Sequence, residues 1–190
     1  MAVPVLIEGV RVRLRQARPA DAATLFALVD DADVMRHMDW PRARSVDETR
    51  AHLEGALQRW DAGTEHQYMI LQKPGATQDE RAVGSIAFRP HGFHVDFGYF
   101  LGRAHWGQGL ATEAARLLVQ HLQRQPGVVR VWATCDADNS ASAAVLKKAG
   151  LQFEGRLRRA HVRPNFEPQR GAGPRDTLMH AWVREEEGTA

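Results

Sequence analysis

The sequence has little cysteine and no long hydrophobic run, and each shortage excludes a class of protein. One of the 190 residues is a cysteine, Cys135, so no disulfide can form within the chain and a disulfide-stapled secreted scaffold is excluded. No apolar stretch approaches the roughly 20 residues that a membrane-spanning helix needs. The N-terminal residues lack a charged region followed by an apolar core, so the expected compartment is the cytoplasm.

The chain also has no large excess of either charge. The net charge is +2, and nucleic-acid binding requires clustered basic residues rather than a slight excess, so no nucleic-acid partner is expected. The nine histidines are scattered, and the nearest pair, His91 and His94, has no cysteine close by, so no metal site is expected. Membrane association is not expected either, and the chain is predicted to be a monomer or a homodimer.

The remaining composition is that of a globular domain. A hydrophobic content of 44% and a charged content of 25% are ordinary for a soluble protein, and this length can bury a core without disulfides or metals. We expect one domain over residues 1–190, with flexible ends at 1–8 and 185–190. Cys135 lies in a strand-like run and is interpreted as a small buried hydrophobe.

Hydrophobic periodicity predicts a mixed α/β fold. Strands alternate with helices after residue 105, whereas strands cluster before it, which favours one mixed sheet flanked by helices over a regular doubly wound fold. The polar segment from Pro164 to Pro174 is predicted to be a long mobile loop. The predicted strands span 10–15, 67–72, 82–89, 93–101, 128–134, 153–159 and 177–184. The predicted helices span 22–29, 45–60, a segment after Gly109 that ends before Pro126, and 139–149.

The most informative segment is a glycine turn between a predicted strand and a predicted helix. Gly107 and Gly109 lie where the turn meets the helix. A helix start has backbone N–H groups without partners and a partial positive charge, so it binds phosphate without basic side chains. A Walker loop is excluded because Leu110 and Ala111 follow the second glycine, and a dinucleotide fingerprint is disfavoured because Thr112 stands at its third glycine position.

Three motifs give the chain a resemblance to a known family. They are Asp96-Phe-Gly-Tyr99, the run Trp106-Gly-Gln-Gly-Leu-Ala-Thr-Glu-Ala114, and Asn139-Ser-Ala-Ser142 followed by Lys148-Ala-Gly150. Together they resemble the GCN5-related N-acetyltransferases (GNAT), most of all the RimJ and RimL type of ribosomal-protein N-terminal acetyltransferase. The resemblance implies a single GNAT-like domain with a central, mostly antiparallel, splayed mixed sheet flanked by helices.

The same resemblance implies acetyl-CoA as co-substrate and no metal. Its pantetheine arm would pair with the backbone of the strand before the glycine turn, and its pyrophosphate would meet the N–H groups of the turn. The cofactor-binding residues implied in this way are Phe100, Leu101, Arg103, Trp106, Gly107, Gln108, Gly109, Leu110, Ala111, Asn139, Ser142 and Lys148.

Two residues are candidates for the chemistry of acetyl transfer. Asp96 is the candidate base that removes a proton from the amine, directly or through a water, and the alternative is a solvated strand carboxylate opposite His94 or an arginine. Ser142 is the candidate donor to the departing thiolate, because resembling enzymes use this position beside the cofactor sulfur. Glu113, a second carboxylate near the turn, is interpreted as a structural residue in the first helical turn.

The acceptor is read least directly from the sequence. The resemblance favours the α-amine of a protein N-terminus. The alternatives are a small amine, such as an amino acid, a polyamine or an aminoglycoside, or a non-catalytic module that binds acyl-CoA. An acidic region between the first two predicted helices fits a cationic acceptor or ordinary surface charge, and it contains Asp30, Asp31, Asp33, Asp39 and Asp47.

Overall fold

A single eight-stranded sheet organises the chain in the computed structural model, which describes residues 3–75, 79–166 and 173–185. The spatial strand order is β1-β2-β3-β4-β5-β6-β8-β7, and every neighbouring pair is antiparallel except the parallel pair of β5 and β6. This is the mixed, mostly antiparallel sheet that the sequence predicts. The strands are β1 (Leu6–Glu8), β2 (Val12–Gln16), β3 (His66–Gln72), β4 (Arg81–His91), β5 (His94–Leu101), β6 (Arg130–Asp136), β7 (Gln152–His161) and β8 (Arg175–Val183).

Helices cover both faces of the sheet. The helices α4 and α5 pack on one face over the larger core, and α1 and α3 pack on the other face over a second core that includes Met69 and Phe100. The helix α4 belongs to the first core because its apolar residues recur at helical spacing and form one buried stripe. The helices are α1 (Ala22–Val29), α2 (Ala32–Met35), α3 (Val46–Asp61), α4 (Leu110–Gln123) and α5 (Ser140–Lys148).

The sheet opens in its middle. The strands β5 and β6 pair over three positions, from His94 opposite Arg130 to Asp96 opposite Trp132. Beyond that point β5 remains paired with β4, and β6 remains paired with β8, but the two strands have no mutual pairing. The facing edges of the two strands therefore keep backbone N–H and C=O groups that no strand satisfies. This opening confirms the splayed sheet that the sequence predicts.

Some predicted boundaries are wrong. The strand β1 was not predicted, and it occupies part of the segment expected to be a flexible end, where Ile7 pairs with Leu14. The strand β4 continues through Pro90 to His91, two residues beyond its predicted end, because the turn that follows contains two residues, Gly92 and Phe93. Residues 167–172 of the predicted loop and 186–190 of the predicted tail lie outside the described residues.

The described helices also bear on membrane insertion. None of them is both long enough and apolar enough to span a bilayer.

Candidate functional site

A cavity of about 1220 Å³ runs through the opening between β5 and β6. Its floor is formed by β3, β4 and β5, and its walls include the segment between α2 and α3 and residues of β6. The predicted candidates Asp96, Phe100, Asn139 and Ser142 all line it, although they come from elements far apart in the sequence. The fold thus brings one candidate base and one candidate thiolate donor to the same cavity.

The glycine turn has a backbone geometry that fits an anion. Gly109 is the N-cap of α4 with a φ of 76°, no side chain caps this end of the helix, and Gly107 has a φ of 73°. Both glycines are exposed, as is Gln108 between them, and the three backbone N–H groups donate no hydrogen bond within the described part of the chain. Left-handed backbone of this kind favours glycine and aims successive N–H groups at one point. The turn fits the pyrophosphate that the sequence predicts there.

The carboxylate of Glu113 holds this turn in place through Arg11. Glu113, in the first turn of α4, accepts hydrogen bonds from the backbone N–H groups of Arg11 (2.6 Å) and Val12 (3.2 Å), and from the Arg11 Nε (2.8 Å). The Arg11 guanidinium also donates to the carbonyl of Gln108, 3.0 Å away. Burial would raise the pKa of Glu113, but these hydrogen bonds outweigh burial and lower it, so the carboxylate stays ionised.

The other residues predicted to hold the cofactor differ in their surroundings. Phe100 is 9% exposed and belongs to the second core. Its ring centroid lies 6.5 Å from that of Trp40. The Leu101 carbonyl accepts a hydrogen bond from the indole of Trp106, at 2.9 Å, while the Trp106 ring is half exposed beside the turn. Arg103 forms an ion pair with Asp33, at 2.6 Å.

The last three predicted cofactor residues lie on α4 and α5. Leu110 is buried in the larger core and Ala111 is partly buried against it, so only their backbone can face a ligand. Lys148 is exposed in the last turn of α5, and its carbonyl accepts a hydrogen bond from Arg116, at 2.7 Å.

The start of α5 presents a hydroxyl pair to the cavity. Asn139 is the N-cap of α5 and accepts a hydrogen bond from the Ser142 amide at 3.0 Å, and the Ser142 Oγ lies 2.9 Å from the Tyr99 hydroxyl. Burial is the main cause that raises the pKa of Tyr99, so its hydroxyl keeps its proton. Burial likewise raises the pKa of Cys135 to about 11, which agrees with the predicted inert, buried thiol.

Asp96 lies in the cavity wall with both carboxylate oxygens engaged. Arg89 stands directly opposite it on β4 and forms a close ion pair with it. The His91 Nε2 donates to Asp96 Oδ1 at 2.6 Å. Asp96 therefore has the arginine partner that the alternative interpretation expects. Its side chain is buried, however, at 8% exposure. His91 is 46% exposed and lines the cavity.

A second group of charges lies where β6 ends. The Asp136 side chain is fully buried and accepts two hydrogen bonds from Arg175, of 2.7 and 3.2 Å. Burial would raise the pKa of Asp136, but the bonds from Arg175 and from the Asp138 amide outweigh burial and lower it. Arg163 and His37 approach the same carboxylate at 3.9 and 3.7 Å.

Several residues of the cavity were not singled out from the sequence. Tyr99 stands inside a quoted motif, but its contact with Ser142 joins β5 to α5 and depends on tertiary packing. Arg89 and His91 could have been identified from the sequence, since a two-residue turn at 92–93 sets the register of the hairpin and places Arg89 opposite Asp96. Arg163 has no such local signal.

Comparison with known proteins places this geometry in a family. Residues 11–152 match a family model described as an acetyltransferase (GNAT) domain. The uncharacterized N-acetyltransferase p20 of Bacillus licheniformis is 26% identical over 151 residues, which are 78% of this chain and 83% of that protein. The ribosomal-protein-serine acetyltransferase of Escherichia coli is 26% identical over 131 residues, which are 67% of this chain and 70% of that protein.

Solved structures share the fold. The ribosomal α-N-protein acetyltransferase RimL in complex with coenzyme A aligns with a TM-score of 0.80 at 24% identity, over 94% of this chain and 97% of that one. The microcin self-immunity acetyltransferase MccE, in complex with acetyl-CoA and AMP, aligns with a TM-score of 0.80 at 20% identity, over 93% of this chain and 94% of that one. At these identities the similarity establishes the fold.

Proposed function

Because this chain belongs to the GNAT family and is an acetyl-CoA-dependent N-acetyltransferase, we propose that its acceptor is the α-amine of a protein N-terminus. Direct attack of the amine on the thioester requires both reactants in one site, and the cavity between β5 and β6 is large enough to hold them side by side. When bound, acetyl-CoA supplies the acetyl group as a thioester, which is activated for attack by an amine.

The observation that carries the proposal is the pairing of the cavity's carboxylates. A pocket for a polyamine or an aminoglycoside needs several carboxylates that are free to meet several ammonium groups. Within the described residues, every carboxylate that lines this cavity has an arginine within 4.0 Å, so a polycation would have to displace an arginine for each ion pair it gained. A single α-amine makes no such demand. The pairs are Asp39–Arg163, Glu48–Arg44, Glu65–Arg59, Asp96–Arg89 and Asp136–Arg175.

The acidic region between α1 and α3 supports the same choice. Asp31 caps α2 by accepting from the Asp33 amide, at 2.8 Å, and Asp33 itself pairs with Arg103. Asp30 lies 3.8 Å from Arg42. Of the five aspartates considered from the sequence, only Asp39 lines the cavity. The acidic residues of this region thus stabilise local structure more than they form a pocket that would bind a cation.

The relatives favour a peptide acceptor. A curated relative is named a ribosomal-protein-serine acetyltransferase, and a structure with the same fold is named an α-N-protein acetyltransferase. A peptide acceptor also suits a cavity that opens between separate segments of the chain, because an extended peptide needs a groove with room on both sides of its first residue.

For the co-substrate, the turn from Arg103 to Gly109 would hold the pyrophosphate and the free edge of β5 would pair with the pantetheine arm. The N–H groups of Gly107 and Gly109 fit an anion, and the β5 edge fits an amide chain. Ser142, with Tyr99 behind it, would give a proton to the sulfur as it leaves. Asp96, which lines the same cavity, would serve the removal of the amine proton.

The acceptor proposal is tested with a panel of amines at fixed acetyl-CoA concentration. The panel contains short peptides with free N-termini, the same peptides with a blocked N-terminus and an internal lysine, free amino acids, spermine and an aminoglycoside. Released thiol is measured for each acceptor, and mass spectrometry locates the acetyl group. We expect kcat/KM to be highest for the free N-terminal peptides and the label to lie on the α-amine. Preferred turnover of spermine, of the aminoglycoside or of a free amino acid would refute the proposal.

A further inference from the structure

The Asp96 carboxylate has little room for a proton of its own. One oxygen accepts from the Arg89 Nη2, and the other accepts from the His91 Nε2 at 2.6 Å and from the Arg89 Nε at 3.3 Å. Oδ1 already accepts two hydrogen bonds, and a proton on either oxygen would lie beside the Arg89 guanidinium, which is a permanent cation. Asp96 is therefore better placed to hold a neighbouring group than to take the amine proton itself.

That neighbouring group is His91. The carboxylate can only accept, so the His91 Nε2 carries its hydrogen and the Nδ1 of the neutral ring has a free lone pair. A carboxylate that fixes the tautomer of an imidazole leaves the second nitrogen as a base, as in catalytic Asp–His pairs. His91 is half exposed and lines the same cavity as Ser142.

Building on the proposed function, we propose that His91, oriented by Asp96, is the residue that receives the proton lost by the acceptor ammonium. The assignment changes the role of Asp96 from base to positioning residue. It also gives the reaction an imidazole as its proton acceptor, the side chain that most often transfers protons in enzyme active sites.

The charged and titratable groups around His91 suit a ring that gains and loses a proton. His94 stacks on it with ring centroids 5.2 Å apart, and the His94 Nδ1 accepts a hydrogen bond from Trp132, at 3.2 Å. Arg89 is balanced by Asp96 in the close pair. Arg59 and Glu65 line the same cavity from α3 and from the start of β3, and they pair with each other at 3.3 Å. When His91 gains a charge, the carboxylate that it contacts directly is Asp96, which it shares with Arg89.

The proton balance of the reaction is complete with these groups. The acceptor ammonium gives one proton, through a water, to the His91 Nδ1, and the neutral amine attacks the carbonyl carbon of the thioester. The carbon–sulfur bond breaks and the sulfur leaves with the bonding electrons. The Ser142 hydroxyl gives its proton to the departing sulfur, and the second proton of the nitrogen passes through water to the Ser142 oxygen, so Ser142 ends the turnover as a hydroxyl. His91 releases its proton to solvent after the products leave.

The test is the pH profile of His91→Gln, measured with whichever acceptor the wild-type enzyme uses best. Glutamine keeps an N–H donor for Asp96 but cannot take up a proton. We expect kcat/KM at pH 7 to fall about 10²-fold, the acid limb of the profile to disappear, and the KM for acetyl-CoA to stay the same. His94→Gln is the matched control, since it removes the stacked neighbour; it should keep the acid limb and most of the activity.

Two results would overturn the proposal. One is a His91→Gln enzyme with wild-type kcat/KM, and the other is a reduced kcat/KM that keeps the wild-type acid limb. His91→Ala with added imidazole gives a second reading, in which recovery of activity that grows with the concentration of neutral imidazole supports a proton-accepting role and absence of recovery opposes it. Because the acceptor is chosen by turnover, failure of the peptide assignment leaves this test unaffected.

Discussion

The two sides of the cavity are built in different ways. The proposed cofactor side is one continuous stretch of backbone, the end of β5 that lines the cavity and the turn from Arg103 to Gly109 that follows it, with Ser142 and Asn139 added from α5. The proposed acceptor side is made of side chains from separate segments, and those side chains meet in ion pairs. A local backbone site can be recognised in sequence and can serve every enzyme that uses the same co-substrate. A side-chain site assembled from distant segments can change its specificity one residue at a time.

If this contrast is right, the largest loss of stability comes from the acceptor side. Asp136→Ala removes a fully buried carboxylate from Arg175 and Arg163. Among the described residues, this leaves Arg175 with only the exposed Asp138 and Arg163 with only Asp39, 3.9 Å away. We expect the free energy of unfolding to fall by about 3 kcal/mol, as measured by urea denaturation. Asp176→Ala, which removes a partly exposed carboxylate from Arg156 and from the Arg159 amide, is the control and should change stability less.

The same carboxyl predicts a direction for acid sensitivity. The pKa of Asp136 is lowered in the folded state, so its stabilising contribution is present above its unfolded pKa of about 3.9 and is lost as the pH falls through the folded pKa. Asp136→Asn should flatten the loss of stability below about pH 4. An unchanged slope in that variant would mean that other carboxyls dominate acid unfolding.

On the proposed cofactor side, Ser142→Ala should slow the chemical step. The variant removes the hydroxyl that Tyr99 contacts, which is the proposed proton donor for the sulfur. We expect kcat to fall about 10²-fold while the dissociation constant of acetyl-CoA changes little, as measured by steady-state kinetics and calorimetry. Ser140→Ala is the matched control, since Ser140 is exposed in the same helical turn. Unchanged turnover in Ser142→Ala would remove Ser142 from the chemistry.

Glu113→Gln should affect the same side through binding. The amide provides one acceptor oxygen where the carboxylate provides two, so it cannot keep all the bonds to Arg11 and Val12 that hold the turn. We expect the KM for acetyl-CoA to rise about fivefold, which corresponds to about 1 kcal/mol, with kcat nearly unchanged. Glu154→Gln removes an ion pair with Arg130 at the far side of the sheet and should leave the KM for acetyl-CoA alone. A fall in kcat without a rise in KM would contradict this role.

The smallest effect is expected at Lys148. The side chain is exposed at the end of α5, and no hydrogen bond or ion pair within the described residues holds it towards the cavity. Lys148→Ala should change the KM for acetyl-CoA by no more than about twofold. A tenfold rise would show that this lysine reaches a phosphate and that side chains contribute more to the cofactor side than the contrast allows.

Much of the cofactor side could be predicted from the sequence because its determinants are local. The glycine spacing, the apolar stripe of α4 and the cap at Asn139 each depend on residues within a few positions of one another. The strand β1 was missed because it has three residues and owes its pairing to β2. A strand so short carries too little alternation to be recognised.

The acceptor side resisted prediction for a different physical reason. Asp96 could be singled out as a carboxylate, but its bond to His91 depends on the register of the β4–β5 hairpin. The contact between Asp136 and Arg175 joins residues 39 positions apart through the pairing of β6 with β8. Charges identified one at a time in a sequence acquire their function from partners that only the fold supplies.

The opening between β5 and β6 also has a consequence for aggregation. Unpaired strand edges are templates on which other chains can add strands, and a long, flat outer edge is the usual hazard. Here the outer edges are β1, with three residues, and β7, which carries three arginines, while the unpaired stretches of β5 and β6 face each other inside the molecule. Because the unpaired edges lie in the middle of the sheet, they can pair with a small amide-bearing ligand, while a strand of another chain has little access to them.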